Sequence, residues 1–388
     1  MNKRILGVLF LTLLIVMVGF SILFPVEAFY VKSFNATALS MGVLIMLYSL
    51  MQFLFSPLWG RLSDRIGRKP VLLLGLFGYA VSMLFMGMAT QLWHLFAARA
   101  FGGILSSATL PTAMAVIADS TDAEHRTRGM GILGAAFGLG VIVGPAIGGV
   151  LGKSHLWLPY FATAGLAAAV FVFVLVALPE SLTPQRRGQH KETQSRWAAL
   201  HRAIAALYFI SFIVSFTLAG LETTFGFLAA DRLGLTPDRV GYLFVVMGIV
   251  GASIQGGLIG PLQRRFGDTR LIQAGLLVSA LGFAGIALSG TALWAAVTLS
   301  VFAAGNGLIR PSNAALVSRR TRVGHGLAIG LLDSFDSMGR ILGPLLGGLL
   351  YRLHDYLPFA LGAVLTLASG LLFALLYRAP AADPAPAP

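Results

Sequence analysis

The stretch Gly140-Val141-Ile142-Val143-Gly144-Pro145-Ala146-Ile147-Gly148-Gly149 returns in outline as Gly339-Arg340-Ile341-Leu342-Gly343-Pro344-Leu345-Leu346-Gly347-Gly348. Glycines four apart share one face of a helix, so a neighbouring backbone can come close along that face. The proline inside each stretch removes a backbone donor and bends the helix. Close packing explains the glycines but not their repetition. Two further features recur at nearly the same offset. Gly60-x-Leu62-x-x-Arg65-x-Gly67 returns as Gly260-x-Leu262-x-x-Arg265-x-Gly267, and Pro111 returns as Pro311. The chain therefore reads as two related halves of about 200 residues each, with a site expected where they meet.

Composition says where such a chain folds. Of its 388 residues 57% are hydrophobic and 11% charged, against about 25% charged in an average soluble domain. So few charges cannot cover a water-facing surface. Apolar runs recur from end to end, and a spanning helix needs about 20 such residues. We expect an all-α membrane protein with helices near 5–30, 39–60, 70–90, 93–118, 128–152, 157–178, 200–228, 240–261, 271–289, 292–316, 325–350 and 357–377. Met1–Arg4 could open a signal peptide, but the apolar run continues through Phe29, too long for one, and is taken as the first span. The domains expected are 1–178, a first six-helix bundle; 179–199, a polar linker; 200–378, a second bundle; and 379–388, a Pro/Ala-rich disordered tail.

The net charge of +13 would suggest nucleic acid in a soluble protein, but here it is sorted by topology. Alternate loops hold Arg61, Arg65, Arg68 and Lys69; Arg126 and Arg128; Arg186, Arg187, Lys191, Arg196 and Arg202; Arg264, Arg265 and Arg270; Arg319, Arg320 and Arg322. The intervening loops hold only Lys32, Lys153, Arg232, Arg239 and Arg352. The positive-inside rule then puts both termini and the linker in the cytoplasm, and the chain is expected in the plasma (inner) membrane. There are no cysteines, hence no disulfide and no thiolate chemistry. No nucleotide motif, metal cluster or nucleophile–base pattern is present, so neither an enzyme, a cofactor nor direct ATP drive is expected.

These residues resemble the major facilitator superfamily. Gly60-Arg61-Leu62-Ser63-Asp64-Arg65-Ile66-Gly67-Arg68-Lys69 is similar to the family's cytoplasmic loop motif, and Leu95-x₃-Arg99-x₂-Gly102-Gly103 to its second motif. The Gly140–Gly149 stretch resembles the motif of the drug:proton antiporter branch. Leu221-Glu222-Thr223 and Ile309-Arg310-Pro311-Ser312-Asn313 look like bacterial multidrug efflux pumps of the NorA type. The resemblance implies two pseudo-symmetric six-helix bundles, alternating access, proton-coupled efflux of lipophilic, cationic drugs, and a monomer. Span ten departs from the NorA-type pattern. An acidic residue is expected before Arg310-Pro311, where this chain has the neutral Gly305-Asn306-Gly307.

Ionisable residues inside spans cost about 2.5–3.5 kcal/mol at a helix centre and usually face a cavity or a partner. The proton-coupling candidates are Glu27, Glu222, Asp333, Asp336, Arg99 and Arg310. Glu27 and Glu222 lie toward the outer ends of spans one and seven. They are either interfacial or exchangeable sites for which protons and a cationic substrate compete. Asp333, Asp336 and Arg340 share one helical face. An Asp336–Arg340 pair would leave Asp333 as the second-half proton site, with Arg310 as its partner. Cavity candidates are Phe20, Phe24, Tyr30, Tyr48, Met51, Phe137, Phe225, Met247, Asn306 and Phe335, since flexible and flat side chains suit a broad substrate range. The resemblance implies a gate of Gly60, Asp64, Arg65, Gly67, Arg68 and Asp119, together with Gly144, Pro145, Gly148, Gly343 and Pro344. In it Asp64 meets the start of span eleven, Arg68 pairs Asp119, and these contacts break when the protein flips. A lipid flippase or a sugar or metabolite exporter on the same fold remains open, and a sensor would have little need of so many intramembrane charges.

Overall fold

The computed structural model describes residues 3–120, 123–182, 202–321 and 325–376. Residues 183–199 of the expected linker and the whole 379–388 tail lie outside them. Within the described residues every regular element is helical. The first expected span is two helices, α1 (Lys3–Ser21) and α2 (Glu27–Ser33). They are broken at Ile22–Val26, where Pro25 has no N–H to donate. Next come α3 (Ala38–Ile66) and α4 (Arg68–Gly87). The fourth span divides into α5 (Leu92–Ser106) and α6 (Thr109–Ser120) just before Pro111, and α7 (Ala123–Ser154) and α8 (Leu158–Ala177) complete the first half.

The second half holds α9 (Arg202–Asp231), α10 (Pro237–Ser253), α11 (Ile259–Ala287), α12 (Ala292–Arg320), α13 (His325–Leu353) and α14 (Leu357–Leu376). A π-helical turn, Ile254–Leu258, joins α10 to α11. Gly267 interrupts α11 with φ 76°, and Gly67 between α3 and α4 has φ 116°. The repeated loop motif thus ends each time on a glycine in backbone space that other residues avoid. Each of the twelve expected stretches carries helix. Nine helical stretches among the described residues are long and apolar enough to cross a bilayer, and one of them, Pro237–Ala287, holds the eighth and ninth expected spans together.

Within the first half α1 packs on α7, α4 on α8 and α5 on α3; within the second α9 packs on α13, α11 on α14 and α11 on α12. Two further pairs join the halves, α3 with α13 and α7 with α10. The repeated Gly-Pro stretch makes both kinds of contact. A Cβ on Gly140 would meet Met17 at 2.5 Å, and one on Gly339 would meet Phe212 O at 2.6 Å, each within its own half. The last glycine of each stretch faces the other half. Gly149 abuts the backbone of Asp238 and Gly241 on α10, while Gly348 abuts Ala38 and Leu39 on α3. Gly241 lies under the Pro145 carbonyl, where a Cβ would come within 2.5 Å, and Gly42 lies in the same way under the Pro344 carbonyl.

The contacts that cross between the halves lie toward one end of the molecule. Toward the basic end, among the described residues, nothing beyond its own stretch of helix comes within 4 Å of a Cβ built on Gly60, Gly134, Gly138, Gly256, Gly257, Gly260 or Gly330. Among the described residues the halves touch at the end of the Lys32 and Lys153 loops and part at the end of the Arg-rich loops. Large apolar side chains such as Phe77, Phe85, Val176, Leu281, Leu293 and Leu375 are exposed around the outside, a surface that suits hydrocarbon rather than water.

Candidate functional site

Between the halves lies a cavity of about 840 Å³, within the range of small-molecule sites. Its walls come from every helix of the interface: Phe20, Phe24 and Glu27; Tyr48 and Gln52 of α3; Arg99 of α5; Gly134, Gly138 and Ile142 of α7; Ser215 and Glu222 of α9; Met247 and Gln255 around the π-turn; Phe302, Asn306 and Arg310 of α12; Arg340 of α13. Its side chains are mostly apolar, with the charges gathered into two groups.

The first group belongs to the first half. Arg99 and Glu27 form an ion pair, and their side chains are only 5% and 7% exposed. Glu27 is therefore no interfacial residue. The break at Pro25 turns α2 so that its first residue faces α5. The Arg99 guanidinium also sits 5.3 Å from the centre of the Tyr48 ring, a cation–π geometry. The Tyr48 hydroxyl is 3.0 Å from Ser106 Oγ and accepts from Gln52 Nε2 at 3.1 Å. Among the described residues Arg99 Nε has no partner.

The second group is looser. Arg310 NH2 lies 3.6 Å from Asp336, with side chains 33% and 22% exposed. Ser215 bridges the two, donating to Asp336 at 2.9 Å and accepting from Arg310 at 3.3 Å. This corrects two expectations: the partner of Arg310 is Asp336 rather than Asp333, and Asp336 does not pair with Arg340. Ser215 on α9 selects Asp336 because that carboxylate, one turn beyond Asp333, points toward α9 and α12. Asp333 is exposed and outside the cavity wall. Glu222 and Arg340 both line the cavity, and neither makes an ion pair within 4.0 Å among the described residues.

Of the apolar candidates, Phe20, Phe24, Tyr48, Met247 and Asn306 line the cavity. Four do not, because helical periodicity does not say which buried face looks inward. Tyr30 donates its hydroxyl to Met86 O at 2.8 Å and packs on Tyr160. Met51 lies against Gly103 on α5. Phe225 is fully buried beside Phe244, and Phe335 stacks on Tyr208. The side chain of Phe137 lies outside the described residues.

The gating candidates at the basic end fall within one half. Arg68 pairs with Asp119 at 3.1 Å and with Asp64, and donates to Ser63 Oγ at 2.7 Å. Arg65 is exposed, and Gly60 faces open space. The Arg68–Asp119 and Asp64–Arg68 pairs stand although the halves are apart here, so they do not break in this state; they hold α3, α4 and α6 as one body. Sequence reasoning missed Glu180, whose carboxylate accepts from Arg68 N at 2.9 Å and Lys69 N at 3.2 Å and so caps α4. It also missed two ion pairs that cross between halves at the closed end, Lys32–Asp231 and Lys153–Asp238. The opposite charges in these loops were visible, but not which would meet.

The family model of the Major Facilitator Superfamily matches residues 9–325 and 258–388. The chain is 31% identical over 95% of its length to multidrug resistance protein 2 of Bacillus subtilis, covering 94% of that protein. It is 27% identical over 97% of its length to the quinolone resistance protein NorA of Staphylococcus aureus, covering 97% of it. The human organic anion transporter MFSD10 has a similar solved structure, with a TM-score of 0.71 and 25% identity over 95% of this chain and 99% of that one. By the family model and by these relatives, the chain belongs to the Major Facilitator Superfamily.

Proposed function

We propose that this chain exports lipophilic drugs across the plasma membrane in exchange for protons, by alternating access of the central cavity. As a member of the superfamily it is a multi-pass membrane transporter of small molecules, not an enzyme. The observation that carries the finer reading is Glu222. It is a carboxylate in a mostly apolar cavity, with no ion-pair partner among the described residues, at the place where substrate would sit. One site that takes either a proton or a cationic group, but not both, couples the two fluxes. Glu27, by contrast, is held by Arg99. The names of the similar proteins, a multidrug and a quinolone resistance protein, support drugs as the cargo.

The reading places the Arg-rich end and both termini in the cytoplasm, so the state described would be the one that loads from inside. Residues 179–199 then link bundles 1–178 and 200–378, which rock about the α3–α13 and α7–α10 contacts as a monomer. The test uses inverted vesicles with an imposed pH gradient and a panel of lipophilic cations. Wild type should collapse the gradient when substrate is added, and Glu222→Gln should not. An unchanged response in Glu222→Gln would remove Glu222 from coupling. No response in folded wild type to any cation would sink the drug reading and favour a lipid or metabolite cargo.

A further inference from the structure

Three arginines and two glutamates line the cavity, and they are unequally matched. Arg99 has Glu27, and Arg310 has Asp336 behind it. Arg340 and Glu222 are left on the walls, each without an ion pair within 4.0 Å among the described residues. Both belong to the second half, on α13 and α9. An unpaired guanidinium on the wall of a mostly apolar cavity repels a simple cation. It is a natural seat for a planar anionic group, which it can grip with two parallel hydrogen bonds.

We infer that the cavity takes amphoteric substrates, with Arg340 binding a carboxylate or similar anionic group while Glu222 binds a cationic group of the same molecule. The inference rests on the exporter reading above and narrows its substrate class. The charge of the cavity depends on whether Glu222 holds a proton. With Glu222 ionised and Asp336 paired, the cavity is neutral, and a zwitterion fills it without changing that. With Glu222 protonated, the cavity carries one surplus positive charge from Arg340. A zwitterion entering that state displaces the Glu222 proton to bulk water and restores neutrality. The charged and polar groups that share the cavity wall with Glu222 on the second-half side are Arg310 on α12, Arg340 on α13 and Ser215 on its own helix, with Asp336 behind Arg310. A substrate with only an anionic group would neutralise the surplus without releasing a proton, and would be bound but not exchanged.

The test compares two dyes that differ in one group: a zwitterionic rhodamine with a free carboxylate, and its ethyl ester, a pure cation. Binding to the full chain in lipid nanodiscs is read by fluorescence anisotropy. Arg340→Gln should weaken the zwitterion about tenfold or more and bind the ester as tightly as wild type or tighter, because a like charge is gone. Arg340→Lys, which restores the charge without the paired hydrogen bonds, should recover part of the zwitterion affinity, which separates charge recognition from misfolding. Equal losses for both dyes, or no loss for either, would overturn the inference. So would a wild type that binds the ester and not the zwitterion, and that result would leave the drug:proton reading standing. A folded wild type that binds neither dye would remove the exporter reading together with this one.

Discussion

The two halves are alike in their backbone seams and unlike in their charges. Gly144-Pro145 and Gly343-Pro344 sit on equivalent helices, and each proline carbonyl covers a glycine of the opposite half, Gly241 or Gly42. The first half holds one buried, directly bonded pair, Glu27–Arg99. The second spreads its charges over Glu222, Arg310, Asp336 and Arg340, with one longer, partly exposed contact. Duplication copied the parts that let two bodies rock on each other, because any side chain added to the seam clashes on both sides of the pseudo-axis. The polar groups face a cavity whose shape tolerates change, so they could diverge. The first half reads as the rigid charge anchor and the second as the half that exchanges.

That division is open to a direct break. Removing one partner of a buried pair leaves an uncompensated charge and costs about 3–5 kcal/mol. We expect Arg99→Ala to lose stability on that scale in thermal unfolding, and Arg99→Ala with Glu27→Gln to recover most of it. Asp336→Asn should cost about 1 kcal/mol or less, since its partner keeps Ser215 and reaches the cavity. Comparable losses in the two halves would erase the distinction between anchor and exchanger.

The seam offers a test of likeness rather than difference. Valine at Gly149 or at Gly348 would push into the other half, on α10 or α3. Overpacking of this kind costs about 1–3 kcal/mol, and here the cost falls on the state closed at the Lys32 end. Both substitutions should shift the population about tenfold or more toward opening at that end and slow export alike. The chain has no cysteine, so a single introduced cysteine at Ser49 in the cavity wall would report access by thiol labelling from each side. If only one of the two valines shifts labelling, the halves do not share the seam mechanically.

A smaller effect concerns the rigidity of the first half. Glu180→Gln weakens the cap on α4, a loss of about 0.5–2 kcal/mol. It should lower the melting temperature without altering substrate affinity. A change in affinity at constant stability would mean that the linker acts on the cavity itself.

What the sequence made legible follows from what it encodes locally. Apolar runs and Gly-Pro spacing are read along one chain, and they gave the helices, the repeat and the glycines of the seam. Even so, the α1–α2 break at Pro25 lay inside what reads as one span. Partner choice is different, because it depends on how a helix is rotated. Asp333 and Asp336 are three residues apart, and only the position of Ser215, 121 residues before Asp336, decides which of them meets Arg310. The same limit left Tyr30, Met51, Phe225 and Phe335 indistinguishable from true cavity residues. It also hid Lys32–Asp231, whose partners are 199 residues apart.

That last pair supplies the mildest test. Lys32 of α2 and Asp231 of α9 bridge the halves at the closed end, and Tyr351 of α13 donates to the same carboxylate at 3.2 Å. The side chains are 38% and 43% exposed, so water and salt screen them and the pair is worth about 0–1 kcal/mol. A contribution that small cannot hold the end shut alone, but it can bias which end is open, because it exists only when the halves touch there. Lys32→Ala should therefore raise labelling from the Lys32 end by no more than about fivefold, and high salt should mimic it in wild type. The effect should vanish in Gly348→Val, where the halves no longer close and the pair has nothing left to stabilise. A Lys32→Ala effect that survives in Gly348→Val, or one insensitive to salt, would show that Lys32 acts within its own half and that the glycine seam alone sets the closed end.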